Sequence, residues 1–205
     1  MKQSKLINWF LKVKHWKLFL LMIGFPIIAQ IITIVLMALE VHSGENNQSG
    51  FPISFFGLFP VIMLLYVFFH FGWFWSISIG LQEYIPTDVK MKVKKFKILF
   101  WIPVIYIALL VVFMGLSYIG VQYNDSASKA TISGALIAMI LIVPLHLFSM
   151  FCIFYCLYFT AKTYKTVQLQ REVNFGDFAG EFFLFWFYFV GIWIVQPKIN
   201  KLLNK

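Results

Sequence analysis

Four long stretches without a charged residue constrain this fold more than any other feature of the sequence. They cover residues 18–39, 51–81, 98–121 and 132–161, and none contains Asp, Glu, Lys or Arg. Each reaches the roughly 20 residues that a helix needs to cross ~30 Å of hydrocarbon. Because lipid offers no partners to backbone N–H and C=O groups, such segments must be helical. The sequence therefore predicts an all-α integral membrane helical bundle with four transmembrane helices.

The composition excludes a soluble domain. Of the 205 residues, 61% are hydrophobic and 12% are charged, and the mean hydropathy is +0.83. A soluble domain is about one quarter charged, since polar side chains must cover its surface. Lipid must therefore cover much of this chain.

A fifth apolar stretch, residues 182–195, is only 14 residues long, and eight of them are aromatic. A helix of that length spans roughly 21 Å, about two thirds of the hydrocarbon core. Aromatic side chains are typical of the headgroup level. We therefore predict a short aromatic C-terminal helix that is re-entrant or interfacial, and a fifth span is the alternative.

Lys and Arg residues predict the orientation, because cytoplasmic loops retain them. Five lie before the first span, five between residues 82 and 97, and three between residues 162 and 177, whereas the two opposite loops hold one in total. The N-terminus is therefore predicted to be cytoplasmic, in the inner (plasma) membrane. Lysines that flank apolar runs indicate contact with an anionic inner leaflet, and we expect no nucleic-acid binding.

The same patterns divide the chain into four segments. Residues 1–17 form a basic amphipathic segment, 18–161 the transmembrane domain, 162–177 a cytoplasmic loop, and 178–205 an aromatic membrane segment with a basic tail. The run KVKHWKLF at residue 12 resembles KVKKFKIL at residue 92, which indicates a tandem repeat of 12–91 and 92–171. A third copy starting at residue 162 would make the last segment cross.

Polar residues inside spans are by default functional candidates. His70 and His146 both fall near mid-bilayer, and a stripe on the fourth span has spacings of three or four: His146, Ser149, Cys152, Cys156, Thr160 and Thr163. Histidine with thiols suits zinc, copper or haem iron. No Cys-x-x-Cys or His-Glu-x-x-His pattern accompanies the stripe, so helix packing is the favoured interpretation and we expect no cofactor or metal.

Glu181 is the most notable acid, because it enters the aromatic stretch one turn after Asp177. Asp177 is placed to cap a helix, and a negative charge in the first turn suits the helix dipole. A proton or cation relay through Glu181 is the alternative, although the sequence shows no partner for it beyond the distant histidines. Separately, Gly72, Ser76 and Gly80 are spaced four apart, which predicts a close packing face for another helix or a second copy.

No catalytic pattern is present, so we expect no enzyme activity. The favoured function is a membrane scaffold or accessory subunit that acts through a protein partner or its own copies. A small transporter or permease subunit is the alternative, and a haem- or metal-binding redox protein is a third reading.

The C-terminal string GEFFLFWFYFVGIWIVQPKIN, residues 180–200, with LQREV before it at residues 169–173, resembles the C-termini of uncharacterised small multipass inner-membrane proteins of Bacteroidetes. The resemblance covers roughly the last forty residues. It implies a bacterial inner-membrane location and no activity.

Overall fold

The computed structural model describes residues 4–43, 53–123 and 127–203, of which about 90% are helical and none is in a β-strand. The α-helices are α1 Lys5–Lys12, α2 His15–Phe19, α3 Phe25–Ser43, α4 Ile53–Gly80, α5 Val93–Tyr123, α6 Ala127–Leu169, α7 Phe175–Trp186 and α8 Tyr188–Leu203. A π-helical turn, Leu20–Gly24, joins α2 to α3, and a 3₁₀ turn, Leu81–Tyr84, follows α4.

Within the described residues, four helical segments are long and apolar enough to cross a membrane: His15–His42, Gly57–Tyr84, Val93–Leu116 and Ile142–Leu169. Each overlaps one of the four uncharged stretches, so the prediction of four transmembrane helices in an all-α bundle is confirmed. The chain is a multipass membrane protein.

The buried core lies near one end of the bundle, which we call the basic end because the lysine-rich segments 12–17, 90–97 and 162–171 meet there. Gln170, at the end of α6, donates a hydrogen bond to the carbonyl of Tyr84, after α4. Helix α1, which ends at Lys12, packs against Gly80 at the end of α4. Buried side chains on α4, α5 and α6 and in the turn after α4 lie in this half: Trp73, Phe74, Ile77, Leu81, Phe96, Phe100, Cys156, Phe159 and Tyr164. Farther along, α5 exposes Leu109, Val112, Phe113 and Leu116, as expected where lipid replaces protein contacts.

Helix α6 continues beyond the fourth uncharged stretch to Leu169, so the first half of the segment predicted as the loop 162–177 is helical. Thr163, Tyr164, Thr166 and Val167 are all buried, and this packing extends the helix. The helix ends at Gln170, whose φ of 52° is the left-handed conformation common after a helix C-terminus.

The N-terminal amphipathic helix α1 packs on α4. Phe10 and Leu11 are buried, and a Cβ built at Gly72 would lie 2.7 Å from the ring of Phe10. One built at Gly80 would lie 2.6 Å from Cγ2 of Ile7. The glycine face predicted for close packing is therefore occupied by α1 of the same chain.

Helices α7 and α8, Phe175–Leu203, form what we call the aromatic hairpin. Phe187 breaks the helix with φ −88° and ψ 58°, and a Cβ at Gly191 would overlap the carbonyl oxygen of Leu184. In a continuous helix those residues would be about 10 Å apart, so the chain folds back sharply.

Both ends of the aromatic hairpin lie at the basic end. Asp177 near its start pairs with Arg171, and Asn200 near its finish donates to the carbonyl of Val13, which precedes the first span. Both ends of the described segment therefore lie on one side of the bundle, as a segment that does not cross would require, and the re-entrant or interfacial position in a membrane stays a prediction. The tandem repeat of 12–91 and 92–171 stays a prediction.

Candidate functional site

The tip of the aromatic hairpin closes a pocket of about 250 Å³ between α4 and α6. The lining is mainly apolar and comprises Tyr66, His70, Met150, Ile153, Phe154, Leu157, Phe185, Trp186 and Tyr188. Such a lining, with a few convergent polar groups, is typical of small-molecule sites. We take this pocket as the candidate functional site.

His70 contributes a buried ring nitrogen to the lining of the pocket. Its ring stacks on Tyr66 with centroids 5.2 Å apart, and it meets the edges of Phe74 and Tyr188 at 4.5 and 4.8 Å. The buried Nδ1 has no hydrogen-bond partner among the described residues. A buried polar atom without a partner is costly, so this nitrogen is suited to bond a water molecule or a ligand group.

Glu181 forms an ion pair that the sequence did not show. Its Oε1 accepts a hydrogen bond of 2.6 Å from Nζ of Lys165, and the two side chains are only 13% and 19% exposed. The sequence predicted that Glu181 would interact with the helix dipole in the first turn of α7. It lies in the second turn and pairs with Lys165 instead. Recognising that α6 extends past the fourth uncharged stretch would have placed Lys165 on a helix able to face the hairpin.

Asp177 fixes the start of the hairpin, as the capping prediction required. It is the third residue of α7, and its carboxylate accepts a hydrogen bond of 2.9 Å from the backbone N–H of Asn174. It also accepts bonds of 3.2 and 2.9 Å from Nη1 and Nη2 of Arg171. The Arg171 guanidinium holds the pKa of Asp177 below its usual value. This paired geometry locks the turn between α6 and α7.

Gln196 fixes the other end of the hairpin. Its Oε1 accepts a 2.8 Å hydrogen bond from the indole N–H of Trp73, and its Nε2 lies 3.0, 3.2 and 3.1 Å from the carbonyl oxygens of Phe10, Leu11 and Val13. Helix α1 ends at Lys12 and Val13 is extended, so the carbonyl groups at this helix end have no hydrogen-bond partners within the helix. Gln196 replaces those partners, and a polar pair spaced four apart, Gln196 and Asn200, was its only sequence signal.

The other predicted residues lie outside the pocket. His146 is exposed, and its Nδ1 lies 3.1 Å from the hydroxyl of Tyr106 on α5. Cys152 and Cys156 are free and buried, and Thr160 hydrogen-bonds Ser78 on α4 at 2.8 Å. The stripe thus packs α6 against α4 and α5, which is the packing interpretation.

The described residues contain no group of three or more His, Cys, Asp or Glu side chains that could hold a metal ion. Comparison with family models, curated proteins and solved structures finds no match to this chain. The functional interpretation therefore depends on the hairpin and its pocket. Two ion pairs and the hydrogen bonds of Gln196 fix the base of the hairpin. At its tip, the buried Nδ1 of His70 has no hydrogen-bond partner among the described residues.

Proposed function

We propose that this protein is a non-enzymatic component of a bacterial inner membrane, a scaffold or accessory subunit that acts through a protein partner or further copies of itself. The observation that carries the proposal is the pairing of intramembrane polar side chains with neighbouring helices. A substrate path needs polar groups turned towards a water-filled route, whereas here most of them are used in packing.

Hydrogen bonds between helices join Trp73 to Gln196, Ser78 to Thr160, and Tyr106 to His146. Hydroxyls also bond to carbonyls of their own helix, as Thr33 does to Ala29 and Ser76 to Gly72. Interhelical pairs of this kind hold membrane bundles together. They support a rigid scaffold more than a moving carrier.

In this proposal the basic end faces the cytoplasm and its anionic lipid. A reporter fused after Val93 should behave as cytoplasmic, and reporters fused after Glu45 or Asp125, which lie outside the described residues, as periplasmic. A cysteine at Lys205 should stay unreactive to an impermeant thiol reagent in intact cells. Labelling of that cysteine, or the reverse reporter pattern, would contradict the orientation.

The partner is tested by purification in mild detergent, followed by light scattering on the eluted complex. We expect a protein mass above the 24.0 kDa of the single chain, with either a second protein in fixed stoichiometry or a whole multiple of this chain. An unrelated four-span protein carrying the same tag is the control for adventitious capture. A lone 24.0 kDa monomer would count against the proposal.

A small transporter or permease subunit is the second candidate, because the unpartnered Nδ1 of His70 lies in a pocket. His70→Phe keeps a flat ring and removes the nitrogen, and His42→Phe, at the exposed end of α3, is the matched control. If the protein is a scaffold, both variants recover the same complex and both complement a deletion strain. Loss of complementation by His70→Phe alone, with the complex intact, would favour the transporter.

A further inference from the structure

A second cavity, of about 420 Å³, lies at the basic end on a different face from the His70 pocket. It is formed by the connection before α5, the first turn of α5, and α6. Four lysines surround it, namely Lys90, Lys92, Lys95 and Lys162. We call this cavity the lysine cleft.

The positive charge of the lysine cleft is poorly balanced. Glu172 at its rim is the one acid in the lining; it reaches Lys162 at a loose 3.8 Å, and its side chain is 72% exposed. Across the described part of the chain, no acidic group lies within ion-pair distance of Lys90, Lys92 or Lys95. The cleft therefore holds an excess of three positive charges.

The start of α5 adds to this excess. The helix begins at Val93 with Lys92 as the preceding residue and Lys95 in its first turn, and no acid is present in that turn. Unpaired N–H groups at a helix start carry partial positive charge, which disfavours cations and favours anions. Both the lysines and the helix start would be stabilised by one bound anion.

The floor of the cleft is aromatic and belongs to α6. Nζ of Lys95 lies 5.1 Å from the ring centre of Tyr155, and Tyr158 and Phe159 complete the floor. Lysines above tyrosines are typical of the level where hydrocarbon meets headgroups. This order of groups matches an amphiphile with an anionic head and an apolar body.

We propose that the lysine cleft binds a phosphate group, and that a phosphate of an anionic membrane lipid is the occupant that the aromatic floor favours. The inference is independent of the partner proposed above. Lysine amines act as point charges towards phosphate and need no single fixed orientation. A free phosphate ion would satisfy the same lysines but would leave the aromatic floor unused.

The test uses the full-length protein in detergent and native mass spectrometry, with phosphatidylglycerol or phosphatidylcholine added. The variant Lys92→Gln/Lys95→Gln/Lys162→Gln removes three charges from the cleft, and Lys94→Gln/Lys97→Gln/Lys201→Gln removes three exposed charges elsewhere. Circular dichroism and size-exclusion chromatography establish that both are folded. We expect the cleft variant to bind phosphatidylglycerol at least about tenfold more weakly and the control to stay within about twofold of wild type.

Two further variants test the sign of the effect. Glu172→Gln should tighten phosphatidylglycerol binding, because it removes the one negative charge at the rim, and arginine at the three cleft positions should retain it. Thermal shift with inorganic phosphate alone distinguishes the sources: stabilisation as strong as with the lipid would assign the cleft to free phosphate. Equal weakening in the cleft and control variants, or equal binding of phosphatidylcholine, would overturn the proposal.

Discussion

Replacing Gln196 with leucine should weaken the whole bundle, since this one side chain joins α8, α4 and the break between α1 and α2. The side chain is fully buried. Leucine is close in size, so the substitution removes hydrogen bonds while leaving little empty space. The indole N–H of Trp73 and the carbonyls of Phe10 and Leu11 would lose their partner.

The magnitude follows from the number of bonds that can form together. Nε2 carries two protons and Oε1 accepts from Trp73, so three hydrogen bonds are satisfied at once. Interhelical hydrogen bonds in membranes contribute about 0.6 kcal/mol on average, so their loss costs about 2 kcal/mol. An unpaired buried indole N–H raises the total, and we expect a loss of about 2–4 kcal/mol in the free energy of unfolding.

The assay is equilibrium unfolding in mixed micelles of dodecylmaltoside and SDS, followed by near-UV circular dichroism. Asn200→Ala is the neighbouring control: it removes the partly buried bond to the carbonyl of Val13 and the one accepted from Nε2 of Gln196, and we expect a smaller cost of about 1 kcal/mol. Trp73→Phe provides a second check, because without the indole N–H the cost of Gln196→Leu should fall by about 1 kcal/mol or more. A Gln196→Leu protein within about 0.5 kcal/mol of wild type would refute this reasoning.

Three more predictions concern the aromatic hairpin, and the same unfolding assay measures each. Gly191→Ala should lower the free energy of unfolding by about 1–3 kcal/mol, because its Cβ would overlap the backbone carbonyl of Leu184. Gly180→Ala, with open space around it, should be neutral or stabilising. Equal effects of the two variants would argue against the tight fold-back. Lys165→Gln should lower the free energy of unfolding by about 1–3 kcal/mol, because it leaves Glu181 unpaired. Adding Glu181→Gln should recover part of this loss. A Lys165→Gln protein as stable as wild type would contradict a stabilising ion pair. The lowered pKa of Asp177 predicts stability that is fully present above its ordinary value of 3.8 and is lost as pH falls through the lowered pKa; Asp177→Asn should abolish this acid dependence, and an unchanged pH profile would count against it.

The sequence alone determined which parts of the chain lie in the membrane and that they are helical. Residues 98–121, for example, carry no charge, and α5 runs through all of them. This prediction succeeds because the requirement is local: each span must be apolar and must satisfy its own backbone hydrogen bonds. The shortness of the fifth apolar stretch likewise predicted a segment that does not cross.

The position of the fold-back in that segment was decided by tertiary structure. Nothing in the run FFLFWFYFVGIW marks Phe187 as the break, since Gly191 lies four residues later and Pro197 is tolerated within α8. The break is stabilised by contacts of α7 with α6 and of α8 with α1 and α2. Those contacts join segments far apart in the chain.

The partners of the polar residues were also decided by the fold. Lys165 and Glu181 are 16 residues apart, Trp73 and Gln196 are 123 apart, and Gln196 reaches back 186 residues to Phe10. A helical pattern tells which face of a helix is polar but not which other helix that face meets. Lipid covers apolar side chains on any helix equally well, so hydrophobicity leaves helix order open, and side-chain packing with a few buried hydrogen bonds determines it.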